Sequence, residues 1–242
     1  MKVLSGYEKA RLYIESQSEH SEEAEYKRKK TTAGPCITIS RQTGIGAVRI
    51  CNDLVNYLQP RAKSDSPKWT YFDRELIDKV IEDHNIPERF KKFITDTKSH
   101  TLDSIYGELM GMQPSKVFIL KKTSKTILRL VEYGNVIIVG RGAQIITAKI
   151  PKTFHVRLIA PLNDRIENAR ILYGGTVKES EKFIRKEDIA RRKYIKTYFH
   201  KDIEDPLLYN LIINTRGLEF NQIGEMIGHC VVKKYHDDFR IL

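Results

Sequence analysis

The chain has 242 residues, with 42 Lys+Arg against 31 Asp+Glu, a formal charge of +11 and a pI near 9.4. Hydrophobic residues make up 40% and charged residues 30%, a globular balance that excludes a disordered chain, while 14 Gly and 8 Pro exclude a collagen-like or Pro-rich fibre. No run of about 18 apolar residues exists and the N-terminus lacks the apolar core of a secretory signal, so no membrane span is expected and the setting is read as cytoplasmic.

Residues 1–33 are polar, with weak helical spacing, and read as an N-terminal extension. Residues 34–242 read as one α/β domain. Cys36-Ile37-Thr38-Ile39-Ser40 is a short uncharged run of the kind buried parallel strands use. A turn, Thr43-Gly44-Ile45-Gly46, leads into an amphipathic helix carrying Val48, Cys51, Leu54, Val55 and Leu58 on one face. Further strands are predicted at Trp69–Phe72, Val136–Val139, Phe154–Ala160 and Leu211–Ile213. Helical patterns fill 74–84, 87–98, 115–133, 161–173, 177–199 and 219–234. Strands alternating with helices predict a parallel five-stranded sheet with helices on both faces. The two long helical stretches exceed what a crossover needs, so 74–134 reads as a helical insertion and 161–204 as a lid region over the strand C-termini, where such sheets bind ligands.

The cysteines Cys36, Cys51 and Cys230 form no CxxC pair, and reduced, mostly buried thiols are expected rather than disulfides or zinc ligands. The histidines are scattered, and no residues are assigned to a resident metal. Against the phosphate-loop pattern G-x-x-x-x-G-K-[ST], Arg41 stands at the first Gly, Gly46 at the second, Ala47 at the Lys and Val48 at the Ser/Thr. Thr43, Gly44, Gly46 and Ala47 remain as a small-residue turn entering a helix, open both to an ordinary strand-to-helix turn and to a phosphate cradle. Arg49, in the first turn of that helix, opposes the macrodipole unless an anion sits nearby. Arg41 or Arg49 is therefore a candidate for the missing lysine's charge, a solvated Arg49 being the alternative.

Asp73 and Arg74 follow the second strand: an Asp can cap the next helix or orient a ligand, and Arg74 can hold a phosphate bidentately. Gly140-Arg141-Gly142 ends an apolar strand, where flanking glycines let the backbone approach a ligand and leave a guanidinium in the cleft. Pairing with a carboxylate is the other role open to Arg141. In the basic stretch, Arg185, Asp188 and Arg192 stand at i, i+3 and i+7, so Asp188 is expected to hold the two guanidiniums toward a transferring phosphoryl group. A solvated, salt-bridged helix face is equally compatible with that spacing.

Taken in order, Ile37-Thr38-Ile39-Ser40-Arg41-Gln42-Thr43-Gly44-x-Gly46, Tyr71-Phe72-Asp73-Arg74-Glu75, Ile138-Val139-Gly140-Arg141-Gly142-Ala143, His155–Ile166 and Asp205-Pro206-x-x-Tyr209-x-Leu211-x-Ile213-Asn214-Thr215 resemble the cytidylate kinase-like family of P-loop proteins, across roughly 36–234. The resemblance implies a P-loop kinase-like fold and ATP-dependent phosphorylation of a nucleoside monophosphate such as CMP or dCMP, with Mg2+. It implies that Asp73 belongs to the acceptor pocket, that Arg141 holds the acceptor phosphate, and that Arg185 and Arg192 act from the lid. The chain departs from the family at Ala47 and at Val139, where cytidylate kinases carry an acid before the glycine.

A non-catalytic nucleotide sensor on the same scaffold is the second reading. An RNA-binding module on the basic lid is a third and least favoured one, since only Tyr194, Tyr198 and Phe199 stand near those charges to stack bases. The partners expected are therefore a nucleotide donor and a small phosphorylated acceptor, with no membrane and with nucleic acid the least favoured partner.

Overall fold

The computed structural model describes residues 34–73 and 116–240. The expected N-terminal extension, the helices at 74–84 and 87–98, and Arg74 lie outside the described residues. The chain runs β1 (Cys36–Arg41), α1 (Ala47–Leu58), β2 (Thr70–Phe72), α2 (Lys116–Tyr133), β3 (Val136–Val139), α3 (Ala143–Ile146), β4 (Thr153–Ile159), α4 (Leu162–Tyr173), α5 (Val177–Phe199), β5 (Leu211–Asn214) and α6 (Phe220–Lys234). The strands form one sheet in the order β2-β3-β1-β4-β5, with every pairing parallel.

Alternation along the central strands sorts the side chains between two layers. Ile37 and Ile39 of β1, with Phe154, Val156 and Leu158 of β4, pack against Leu54 and Leu58 of α1 and Ile223, Ile227 and Val231 of α6. On the other face, Cys36, Phe72, Val136 and Ile138 meet Ile127 and Leu130 of α2. That second face turns polar toward β4, where Thr38, Ser40, His155 and Arg157 are all buried.

The sheet order places β1 between β3 and β4, so the chain leaves β1 toward one edge and returns to the other. The turns after β1, β3 and β4 therefore open side by side at the strand C-termini, the crevice where open α/β sheets take ligands. The helix at Ala143–Ile146 is too short to show a period and is not among the predicted elements.

Candidate active site

Three turns and one long helix build the site. In the turn after β1, Gly44 has φ 87° and Gly46 φ 77°, both left-handed. Gly46 is the N-cap of α1, where no side chain supplies a capping bond and the first turn holds no acidic residue. The first N–H groups of α1 are thus left to an external acceptor. The turn is also closely seated: a Cβ on Gly44 would lie 2.4 Å from the carbonyl oxygen of Arg165.

In the turn after β3, Gly140, Arg141 and Gly142 are all left-handed, with φ of 84°, 56° and 72°. A non-glycine residue in that region costs about 1–2 kcal/mol, and such strain is typical of functional turns. The Arg41 guanidinium lies against Gly140, with Nη1 2.6 Å from where a Cβ would stand. Burial, then the neighbouring charge of Arg191, pushes the Arg41 pKa down to about 10, while Cys51, Asp73 and Tyr173 oppose that shift. Among the described residues no carboxylate lies within ion-pair distance of Arg41. A half-buried cation held beside another cation favours an anion nearby.

The first turn of α4, just after β4, contributes Arg165, 8% exposed, which donates to the Ala160 carbonyl (3.1 Å), the Thr43 carbonyl (3.3 Å) and Asp188 Oδ2 (2.6 Å). Asp188 Oδ1 accepts from the Thr43 N–H (2.8 Å) and the Thr43 hydroxyl (2.7 Å). Arg191 reaches the same spot, touching Thr43 Oγ1 and lying 3.4 Å from Asp188 Oδ1. Burial lowers the Arg191 pKa, against the opposing pull of Glu187 and Asp188. Further along α5, Ile195 and Phe199 close on Gly142, where a Cβ would come within 2.5 Å of the Phe199 ring.

These contacts correct the expected lid geometry. Asp188 holds Arg165 and Arg191, not Arg185 and Arg192. Arg185 turns outward to Glu181 (2.7 Å), and Arg192, 58% exposed, lies 3.7 Å from Glu204. The reason is helical phase: Ser180, Ile184 and Ile195 are the buried positions of α5, and Asp188 and Arg191 continue their stripe at spacings of four and three. Arg185 and Arg192 stand one position off it.

Arg49 is exposed, its guanidinium 5.7 Å from the centroid of the Phe220 ring, which itself packs against Gly46. Asp73, by contrast, lies within electrostatic reach of Arg41. The structure therefore gathers Arg41, Thr43, Gly44, Gly46, Ala47, Asp73, Arg141 and Asp188 around the strand C-termini, and turns Arg185 and Arg192 to Glu181 and Glu204.

Sequence reasoning assigned no role to Arg165 or Arg191. Arg165 sits near the start of α4, where a cation is unfavourable for the same reason as Arg49, and that signal was available. A second polar group lies under the cleft. Arg157 donates to Ser40 Oγ (2.9 Å) and Glu204 (2.8 Å), and Tyr209 donates to the Ile203 carbonyl (2.8 Å). Among the described residues, no group of three His, Cys, Asp or Glu could hold a metal ion, and no helix is long and apolar enough to cross a membrane.

Comparison with known proteins is consistent with this architecture. A solved structure of an uncharacterized protein from Eubacterium ventriosum superposes with a TM-score of 0.60 at 17% identity, covering 83% of this chain and 99% of that one. A shikimate kinase from Bacteroides thetaiotaomicron aligns at a TM-score of 0.46 and 15% identity, over 84% of this chain and 98% of that one, a likeness that speaks to neither substrate nor reaction. A uronate isomerase from Corynebacterium glutamicum is 25% identical over 122 residues, 50% of this chain and 23% of that protein, so the chain spans under a quarter of its length. The cytidylate kinase-like family model matches residues 36–217. With a five-stranded parallel sheet, a glycine turn on an uncapped helix and that match over most of its length, the chain belongs to the cytidylate kinase-like family.

Proposed function

We propose that the chain is a nucleotide-binding phosphotransferase, transferring phosphate from ATP to a nucleoside monophosphate such as CMP or dCMP. The observation that carries this reading is the placing of two guanidiniums, Arg41 against Gly140 and Arg191 on Thr43, beside a helix N-terminus that no side chain caps. Two partly desolvated cations and a set of helix-start N–H groups match a polyphosphate in charge and in donor type. Donor phosphates would lie on the backbone from Gly44 to Ala47, with Arg41 replacing the lysine that Ala47 lacks. Arg141 and Asp73 would face the acceptor. Arg191 would neutralise charge on the moving group, so that transfer rests on positioning and electrostatics with no protein nucleophile. Mg2+, when bound, would supply positive charge at the donor phosphates. Val48 stands where a P-loop hydroxyl would hold it, so the metal would rest mainly on the nucleotide.

A non-catalytic nucleotide sensor is the second reading, favoured by Ala47 and Val48 at the two positions that P-loop chemistry uses most directly. A coupled ADP-release assay with ATP and Mg2+ against CMP, dCMP, UMP, AMP and GMP separates the two, with thermal shifts measured on the same mixtures. Turnover with one acceptor is expected for the phosphotransferase, stabilisation without turnover for the sensor. Arg41→Ala should weaken ATP binding by about 10- to 100-fold, the range of a charge-assisted hydrogen bond, while Arg49→Ala should leave it within about twofold. Neither turnover nor stabilisation in the native chain would overturn both readings.

A further inference from the structure

The outer face of α5 has no part in the cleft, yet it carries a dense block of positive charge. Lys178, Lys182, Lys186, Lys193 and Lys196, with Ile189 at the centre, recur at spacings of three and four and are all exposed. At 100° per residue they fall within one sector of the helix, pointing away from the stripe that seats Asp188 and Arg191 on the glycine turn. From Lys178 to Lys196 the ridge runs about 27 Å at 1.5 Å per residue. Arg185 and Arg192 flank it and are matched by Glu181 and Glu204. Among the described residues, no carboxylate lies within ion-pair distance of Lys178, Lys182, Lys186 or Lys196.

We propose that this ridge is a docking surface for the phosphate backbone of a nucleic-acid duplex, bound without reading its sequence. A straight line of cations complements a polymer that carries one negative charge per about 1.7 Å of axis. Stacking of single-stranded bases is not its basis. Tyr194, Tyr198 and Phe199 pack on one another, with ring centroids 5.0 Å and 5.9 Å apart, and Phe199 is turned onto Gly142. A membrane surface is the poorer match, because an interfacial helix needs a broad row of large apolar residues facing the lipid, and among the lysines stands only Ile189, with the exposed Phe183 to one side of them. Nor is the ridge a second nucleotide clamp: the helix cannot turn it toward the cleft without withdrawing Asp188 and Arg191.

The test is fluorescence anisotropy of the full chain with labelled RNA and DNA duplexes of about 20 bp in two unrelated sequences, across a salt series starting at about 50 mM. Binding should be indifferent to sequence, with log K falling against log salt at a slope of about −3 to −4 for the four lysines. The triple variant Lys182→Glu, Lys186→Glu, Lys196→Glu should lose at least tenfold in affinity, and its slope should shrink by about one per lysine. Its ATP-induced thermal shift should match that of the native chain, which also reports that the variant is folded. Because the contacts are to phosphates alone, RNA and DNA duplexes should both bind. No binding at the lowest salt, binding unchanged in the triple variant, full displacement by ATP, or binding only to anionic vesicles would each overturn the proposal.

Discussion

A carboxylate that accepts the Thr43 N–H, the Thr43 hydroxyl and an Arg165 N–H stands where a phosphate oxygen would find the same donors. Asp188 is thus the counter-ion of the cluster as it stands, and an arriving anion must either displace it or tolerate its charge. Asp188→Asn keeps the shape and one acceptor while removing the charge, so pyrophosphate and ATP should bind about tenfold more tightly at fixed low salt, a change of about 1.4 kcal/mol. Isothermal titration with pyrophosphate measures this directly. Unchanged pyrophosphate affinity with weakened acceptor binding would instead make Asp188 an acceptor contact. The residues gathered in the cleft were legible where a local rule singles them out: the glycines of the two turns, and Arg41 and Arg141 beside them. Arg191 was not, because Arg191-Arg192 offers two adjacent arginines and only the phase of the helix decides between them. That phase is written in Ile184 and Ile195, which take positions four before Asp188 and four after Arg191. Arg165 is a different case: its place at the start of α4 marks it locally, but two of its three partners lie 23 and 122 residues away in sequence, so no local pattern says what it holds.

Periodicity is strongest in the long elements, and there the expected boundaries and the observed ones agree closely. Val136–Val139 and 177–199 coincide with β3 and α5, and the ends of α2, α4 and α6 fall within a residue or so of the patterns. Parallel strands buried on both faces read as apolar runs, which made β1 and β3 plain. What periodicity cannot show is how closely two helices approach. On α6, Gly224 and Gly228 face α1: a Cβ on Gly224 would lie 2.9 Å from the Leu54 nitrogen and 3.1 Å from the Asp53 carbonyl carbon, and one on Gly228 would meet the Tyr57 ring at 2.3 Å. At Gly224 the obstacle is backbone, which cannot swing aside, so Gly224→Ala should force the helices apart at a cost of about 1–3 kcal/mol. For a chain of this length that predicts a Tm lower by roughly 2–12 °C, read by calorimetry. An unchanged Tm would mean that α6 can slide on α1 without loss.

For the molecule as a whole, the two faces of the sheet differ in what they commit the fold to. One is apolar from α1 to α6, and its stability has no reason to follow pH. The other buries Thr38, Ser40, His155 and Arg157 beneath the cleft, so part of the global stability is tied to protonation. His155 Nδ1 lies 2.8 Å from Thr38 Oγ1. Burial, and then the charge of Lys234, pushes its pKa down from 6.5 to about 4. The folded state therefore keeps the imidazole neutral at a pH where the unfolded chain would already take up the proton. The sign follows from linkage: stability from this residue is complete above pH 6.5, is lost as pH falls, and levels off below about 4. While one proton separates the two states, the slope approaches about 1.4 kcal/mol per pH unit. Carboxylates add their own acid dependence, so the informative quantity is a difference. His155→Gln keeps a polar side chain beside Thr38 but cannot titrate, and its stability measured by urea unfolding from pH 7 to pH 4.5 should fall less steeply than that of the native chain. Parallel curves would mean that the folded protein accommodates a charged His155, and that the polar layer beneath the cleft is open enough to water to solvate it.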